Sequence, residues 1–277
     1  MRELWSRRDE DSLERFRKAI EEDDLVGGLF AIEGVTPQSA ARGRELLREW
    51  GSRVRATTSL TQPPLLQARA LQGVLGGELG FRGDADGYHH PKNSLLREVL
   101  TRRRGMPILL SCVWMEAGRE AGLFVQGIGM PGHFIARVGP PPLGQLVDPF
   151  AGGRLLTERD CRLKVHELSG GKLEWRDEFL RRSRTDEIFE RVLSNLAVGF
   201  EQEEDGPGCY RAAMFLAALR PESAEKQLKA ASLADELGAH DVAHRIYEHL
   251  VDTFPETPEC ETAFERLEQG SRGLAVN

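Results

Sequence analysis

The chain has 277 residues, of which 40% are hydrophobic and 29% charged, and its formal net charge is −7. That composition is ordinary for a globular domain in water, and the length fits two modest domains, or one domain with an appended helical layer. The negative balance argues against a dedicated nucleic-acid binder, and no apolar run reaches the roughly 18 residues that cross a bilayer.

The opening segment, MRELWSRRDEDSLERF, has no apolar stretch behind its positive charges. It does not read as a secretory signal, and a cytoplasmic location is expected. Cys112, Cys161, Cys209 and Cys260 lie roughly 50 residues apart with no CxxC pair, a pattern that fits neither a disulfide framework nor a zinc knuckle. Residues 9–24 pattern as an amphipathic helix, with acids near its start where they complement the helix dipole. Residues 25–32 are apolar and expected to bury. Pro37 opens a second helix with Leu46, Leu47 and Trp50 on one face. A third helix is predicted from Pro64 to Leu79, then a glycine-rich polar loop from Gly80 to Pro91. Residues 94–101 read as a short helix capped by Asn93 or Ser94, ahead of the basic run Arg102, Arg103, Arg104.

From Pro107 to Ala121 the segment PILLSCVWMEAGREA is strongly apolar. Pro107 near its first turn and Gly122 at its stop predict a buried helix. LFVQGIG and HFIARV then read as strands about the turn Met130-Pro131-Gly132. GPPPLG is a hairpin tip, and QLVDPF returns as a third strand. Helix followed by three linked strands is an α+β unit, a helix packed on an antiparallel sheet. Beyond Glu158 the chain turns helical, with predicted helices over 186–204, 209–219, 222–237 and 239–253. Two helix ends share punctuation, LAALRPES and LVDTFPETP. Ala230, Ala231, Ala234 and Ala243, with Tyr247 nearby, are the small residues that closely packed hairpins use, so this region resembles tetratricopeptide hairpins.

Three segments together carry a family resemblance: FRGDADGYHHPKNSLLREVLTRRRGMPILLS at 81–111, GIGMPGHFIARV at 127–138 and LVDPFAGGRLLT at 146–157. In order and spacing they resemble the bacterial SirB-type transglutaminase-like proteins, over roughly residues 25–185. The resemblance implies a transglutaminase-like (papain-like) core preceded by N-terminal helices and followed by a helical layer. It also implies a place for a Cys-His-Asp constellation, in which a thiolate at a helix start attacks, histidine acts as base and aspartate orients the imidazole. His133, at the head of HFIARV, and Asp148, at the end of QLVD, match two members.

The third member is missing from its place. In active relatives of this fold the cysteine stands about fifteen residues, or four helical turns, before the glycine that ends the helix. Counting back from Gly122 reaches Pro107, which carries no nucleophile. Cys112 lies five residues further in, about 140° around the helix and roughly 7 Å along it. Ser111 points closer to the right side but starts a turn too deep.

Each of these residues also has a plainer reading. Cys112 sits among apolar neighbours as a small hydrophobe does. His133 and Asp148 can bond to each other for structure alone, and Asp148 before Pro149 can set a turn or cap. Arg102–Arg104 read as a solvated surface turn. Arg82-Gly83-Asp84 spells an adhesion tripeptide, taken as chance in a chain expected to stay in the cytoplasm. His89 and His90 are adjacent and do not converge easily on one metal. His240 and His244 share a helix face while His249 falls off it, so no metal site is expected, and no cofactor.

The sequence therefore predicts a transglutaminase-like domain over 1–185 and a tetratricopeptide-like helical region over 186–277. The first functional expectation is a non-catalytic regulatory module that binds another protein through the helical region, with no membrane and no nucleic-acid partner. The alternative is a cysteine hydrolase or acyl transferase using Cys112, His133 and Asp148 after a shift of helix register. A Cys112 sulfur within about 4 Å of a His133 ring nitrogen would favour the alternative.

Overall fold

The computed structural model describes residues 4–274, the last five through their backbone alone. Met1–Glu3, which open the segment read for an export signal, lie outside the described residues.

Helix α1 (Arg7–Glu21) begins where the Asp9 carboxylate accepts from the Ser6 backbone N–H at 3.0 Å and from its hydroxyl at 2.6 Å. Leu13, Phe16 and Ala19 form its buried stripe. The apolar run that follows is a helix too, α2 (Leu25–Glu33), capped by Asp24 and ended by Gly34 at φ +69°. Nearly all of α2 is buried, and Gly28 packs so closely on the Phe189 ring that a Cβ would collide with it. Thr36 and Pro37 start α3 (Pro37–Thr57), whose Leu47, Trp50 and Val54 face inward. The predicted third helix divides in two. α4 (Pro64–Leu71) loosens into a π-helical stretch, Gln72–Glu78, which brings Gly76 backbone-to-backbone against Gly152.

A two-residue parallel bridge joins β1 (Arg82–Gly83) to β2 (Arg104–Gly105), flanking α5 (Leu96–Arg102). Then comes the central helix α6 (Pro107–Glu120), apolar on every side through its first half because it is enclosed. Four strands follow in chain order as an antiparallel meander: β3 (Val125–Met130), β4 (His133–Val138), β5 (Gln145–Asp148) and β6 (Arg154–Leu156). The last strand escaped the sequence pattern because it is three residues long and follows two glycines at positive φ.

Side chains alternate across this sheet. Phe134, Ala136, Val138 and Val147 face α6 and the main core. Ile128, Met130, Ile135 and Leu146 face the other way, onto Cys161 and Val165 of α7 (Glu158–Leu168). All six residues of β4 are buried because both faces are covered.

Among the described residues five more helices follow: α8 (Thr185–Gln202), α9 (Gly206–Leu219), α10 (Ala224–Glu236), α11 (His240–Thr253) and α12 (Pro258–Leu274). Ile188, Phe189, Val192, Leu193 and Leu196 of α8, with Phe215 of α9, belong to the main core, so that core runs through residue 185 without a break. A second core joins Tyr210 to Ala231, Ala234, Ala243, Tyr247, Leu250 and Ala263. No described helix is long and apolar enough to cross a membrane.

Candidate functional site

Two strand ends bring the site together. A tight turn places Gly132 at φ +72°, a conformation open to glycine, and reverses the chain so that Met130 pairs with His133. Asp148 closes β5 one strand over. Its Oδ1 accepts from His133 Nε2 at 3.0 Å and from the Phe150 backbone N–H at 3.1 Å. Its Oδ2 lies 3.2 Å from Lys164 Nζ on α7. Both members of the pair are buried, Asp148 to 1% exposure.

Burial by itself would raise the Asp148 carboxyl. The His133 hydrogen bond and charge, with Lys164 beside them, outweigh burial and hold it below the usual carboxylate value. A carboxylate can only accept, so the proton between the two side chains sits on His133 Nε2. Among the described residues nothing hydrogen-bonds His133 Nδ1. The Phe150 ring stands edge-on to the imidazole at 6.1 Å and to Tyr88 at 5.8 Å, and Phe150 in turn packs over Gly83, where a Cβ would strike it.

The register settles which side of the sheet this pair occupies. His133 shares its face with Ile135 and stands opposite Met130, and Asp148 shares its face with Leu146; all three apolar partners lie on the α7 side. The Lys164 contact agrees. Cys112 lies on the opposite side, inside α6, at 1% exposure and within the main core. Burial pushes its thiol far up, and the charge of Glu116, four residues on, adds to the shift. Among the described residues no hydrogen bond joins Cys112 to His133. The first turn of α6 holds Pro107, with Met106 as N-cap. Ser111 is fully buried, and among the described residues nothing hydrogen-bonds its hydroxyl. The structure thus brings His133 and Asp148 together and leaves Cys112 apart.

The arginine run is not the solvated turn that the sequence predicted. Arg102 donates to Asp84 Oδ2 at 2.9 Å and to Asn93 Oδ1 at 3.1 Å, while Arg103 and Arg104 bond the carbonyls of Leu79 and Gly80. Together they fasten the loop before α5. The histidines of α11 keep separate partners: His240 with Asp235, His244 with Glu248, His249 with Thr253. Among the described residues no three His, Cys, Asp or Glu side chains gather as metal ligands. Sequence reasoning missed Lys164 and Phe150. Phe150 stands two residues past Asp148 in the quoted LVDPF, whereas nothing local marks Lys164, since only the fold of α7 onto the sheet brings it near.

A family model described as the transglutaminase-like superfamily matches residues 42–194. A UPF0162 protein of Xylella fastidiosa is 39% identical over 109 residues, which is 39% of this chain and 38% of that protein. A UPF0162 protein of Pseudomonas aeruginosa is 36% identical over 152 residues, 54% of this chain and 55% of that one. Mouse F-box only protein 21 is 30% identical over 104 residues, 35% of this chain and 17% of that one. The matched region thus spans from under a fifth to just over half of these relatives' lengths. No solved structure matches the chain significantly.

Proposed function

This chain belongs to the transglutaminase-like superfamily, and on that premise we propose that it is a non-catalytic member, of the SirB type, acting in the cytoplasm as a regulatory module that engages another protein. The observation that carries the proposal is Pro107 in the first turn of α6, with Cys112 sealed on the far side of the sheet from His133 and Asp148. A nucleophile must lie within hydrogen-bond reach of its base, and a thiol must reach its thiolate form to attack. Cys112 has neither advantage. The His133–Asp148 pair then serves as a buried polar clasp between adjacent strands.

The helical region supplies the binding surface in this reading. We read the consecutive helices α8–α9 and α10–α11 as tetratricopeptide-like hairpins, a reading supported by the buried alanines Ala230, Ala231, Ala234 and Ala243. Between α1 and helices α9–α11 lies a cleft of about 640 Å³ lined by Leu13, Ile20, Met214, Leu219 and His249.

Native alkylation tests the catalytic half. Iodoacetamide at pH 7, read by mass spectrometry, should label Cys209 and Cys260 before Cys112, and Cys112 more slowly than free cysteine. Cys112 labelled faster than free thiol would overturn the reading. The binding half is tested by affinity capture from the native host: a stoichiometric partner should be retained by the full chain and lost on Met214→Glu, with the circular dichroism unchanged. A partner held equally by both proteins would place the binding surface elsewhere.

A further inference from the structure

On the α7 side of the sheet, away from the His133–Asp148 pair, a second cleft of about 660 Å³ opens between β3–β5, the 141–144 hairpin tip and residues 177–182. Its floor holds Arg137 and Gln126, directly paired across β4 and β3 and each only 9% exposed. Among the described residues the Arg137 side chain makes one hydrogen bond, from Nη2 to the Leu180 carbonyl at 2.9 Å. Among the described residues no carboxylate pairs with it. A guanidinium has five N–H donors, so most of this one remains uncommitted.

Burial without a counter-ion is costly for a cation, and it pulls the Arg137 guanidinium below its usual value. The acids lining the cleft do not relieve it. Glu158 is bound to Arg162, and Asp177 accepts from the Trp175 indole at 3.1 Å. Gln126 adds a second unmet group, since among the described residues nothing hydrogen-bonds its buried Oε1. The Arg137 stem is fixed in turn by Gly144, where a Cβ would fall 2.7 Å from its Cγ. At the mouth stands Arg182, exposed and, among the described residues, in no ion pair.

We propose that this cleft is a binding site for a small ligand bearing an oxyanion, a carboxylate or a phosphate, which the free edge of the Arg137 guanidinium grips while Gln126 takes a neighbouring hydrogen-bond donor and Arg182 closes from the rim. A planar fork matches two oxygens of one anion at once, and the enclosed setting strengthens the contact. The ordinary alternative is an arginine whose stem merely covers apolar sheet and whose head caps one carbonyl. That role explains neither the absent counter-ion nor the empty capacity of Gln126 beside it.

Isothermal titration of the full chain with succinate and, separately, inorganic phosphate tests this, at constant ionic strength set with sodium chloride. At least one should bind saturably at a single site, about tenfold or more weaker in Arg137→Gln and several-fold weaker in Arg182→Gln. Binding of succinate alone assigns a carboxylate ligand, and of phosphate alone a phosphorylated one. No saturable heat from the wild type up to about 10 mM of either probe, a range that reaches weak millimolar affinity, overturns the proposal. So does affinity unchanged in Arg137→Gln. Should Arg137→Gln fail to fold, the exposed Arg182→Gln decides, and unaltered affinity there overturns it equally.

Discussion

The His133–Asp148 contact is a buried hydrogen bond, and its energetics follow from that. Truncating His133 to Ala leaves a buried carboxylate with Lys164 and one backbone N–H. The loss should cost about 1–3 kcal/mol, read as a lower thermal midpoint. Its pH dependence has a definite sign. Because the folded state holds the Asp148 carboxyl below its ordinary value, the unfolded chain takes up that proton first as pH falls. The contribution is therefore complete above about pH 5 and drains away as pH drops through the folded value, below about 3.9. Urea midpoints of the wild type and of Asp148→Asn should converge as pH is lowered from 6 to 3. A gap that stays constant over that range would mean the carboxylate's charge carries no stability. Both residues of the pair were legible in the sequence, since each opens or closes a strand with its own turn signal. The face they occupy was not, because it depends on register, and a shift of one residue moves every side chain to the other side.

Periodicity served the long elements well and the short ones poorly. α1 and α3 carry caps and stripes, and α6 an opening proline and an apolar run, that a sequence displays directly. β1, β2 and β6 have two or three residues each, too few for any alternation to register. Among the described residues of α12, Leu267 packs against the second core, Phe264 is half exposed and Ala263 is fully buried. A small residue fits there because α11 approaches closely. Ending the chain after Asp252 removes α12 and uncovers Tyr247 and Leu250 of α11, which pack in the same core as Ala263. The shortened protein should melt lower and associate on size-exclusion chromatography, since a hairpin cannot bury both of its faces alone. A monomer melting like the full chain would show that α12 caps nothing.

At the scale of the whole molecule, the main core ties the first helices to those of the C-terminal region. Phe16 of α1 meets Phe189 of α8 and Phe215 of α9 at 5.1 Å each, and Arg211 of α9 forms an ion pair with Asp9 of α1. Residues 186–277 expressed alone would therefore expose Ile188, Phe189, Val192, Leu193 and Leu196. That fragment should bind a hydrophobic dye and lack a sharp melting transition, whereas a cooperative, dye-silent fragment would mark a self-sufficient domain. Such ties join residues far apart in the chain, which is why local patterns did not reveal them. The same holds at the π-helical stretch, where Gly76 rests on the Gly152 carbonyl. Any side chain at 76 would push on the loop that carries Phe150, and through it on the wall beside the imidazole. A drifting lineage could not change position 76 first and repair the loop later without passing through a damaged intermediate. The two stretches, more than seventy residues apart in the sequence, are one heritable unit.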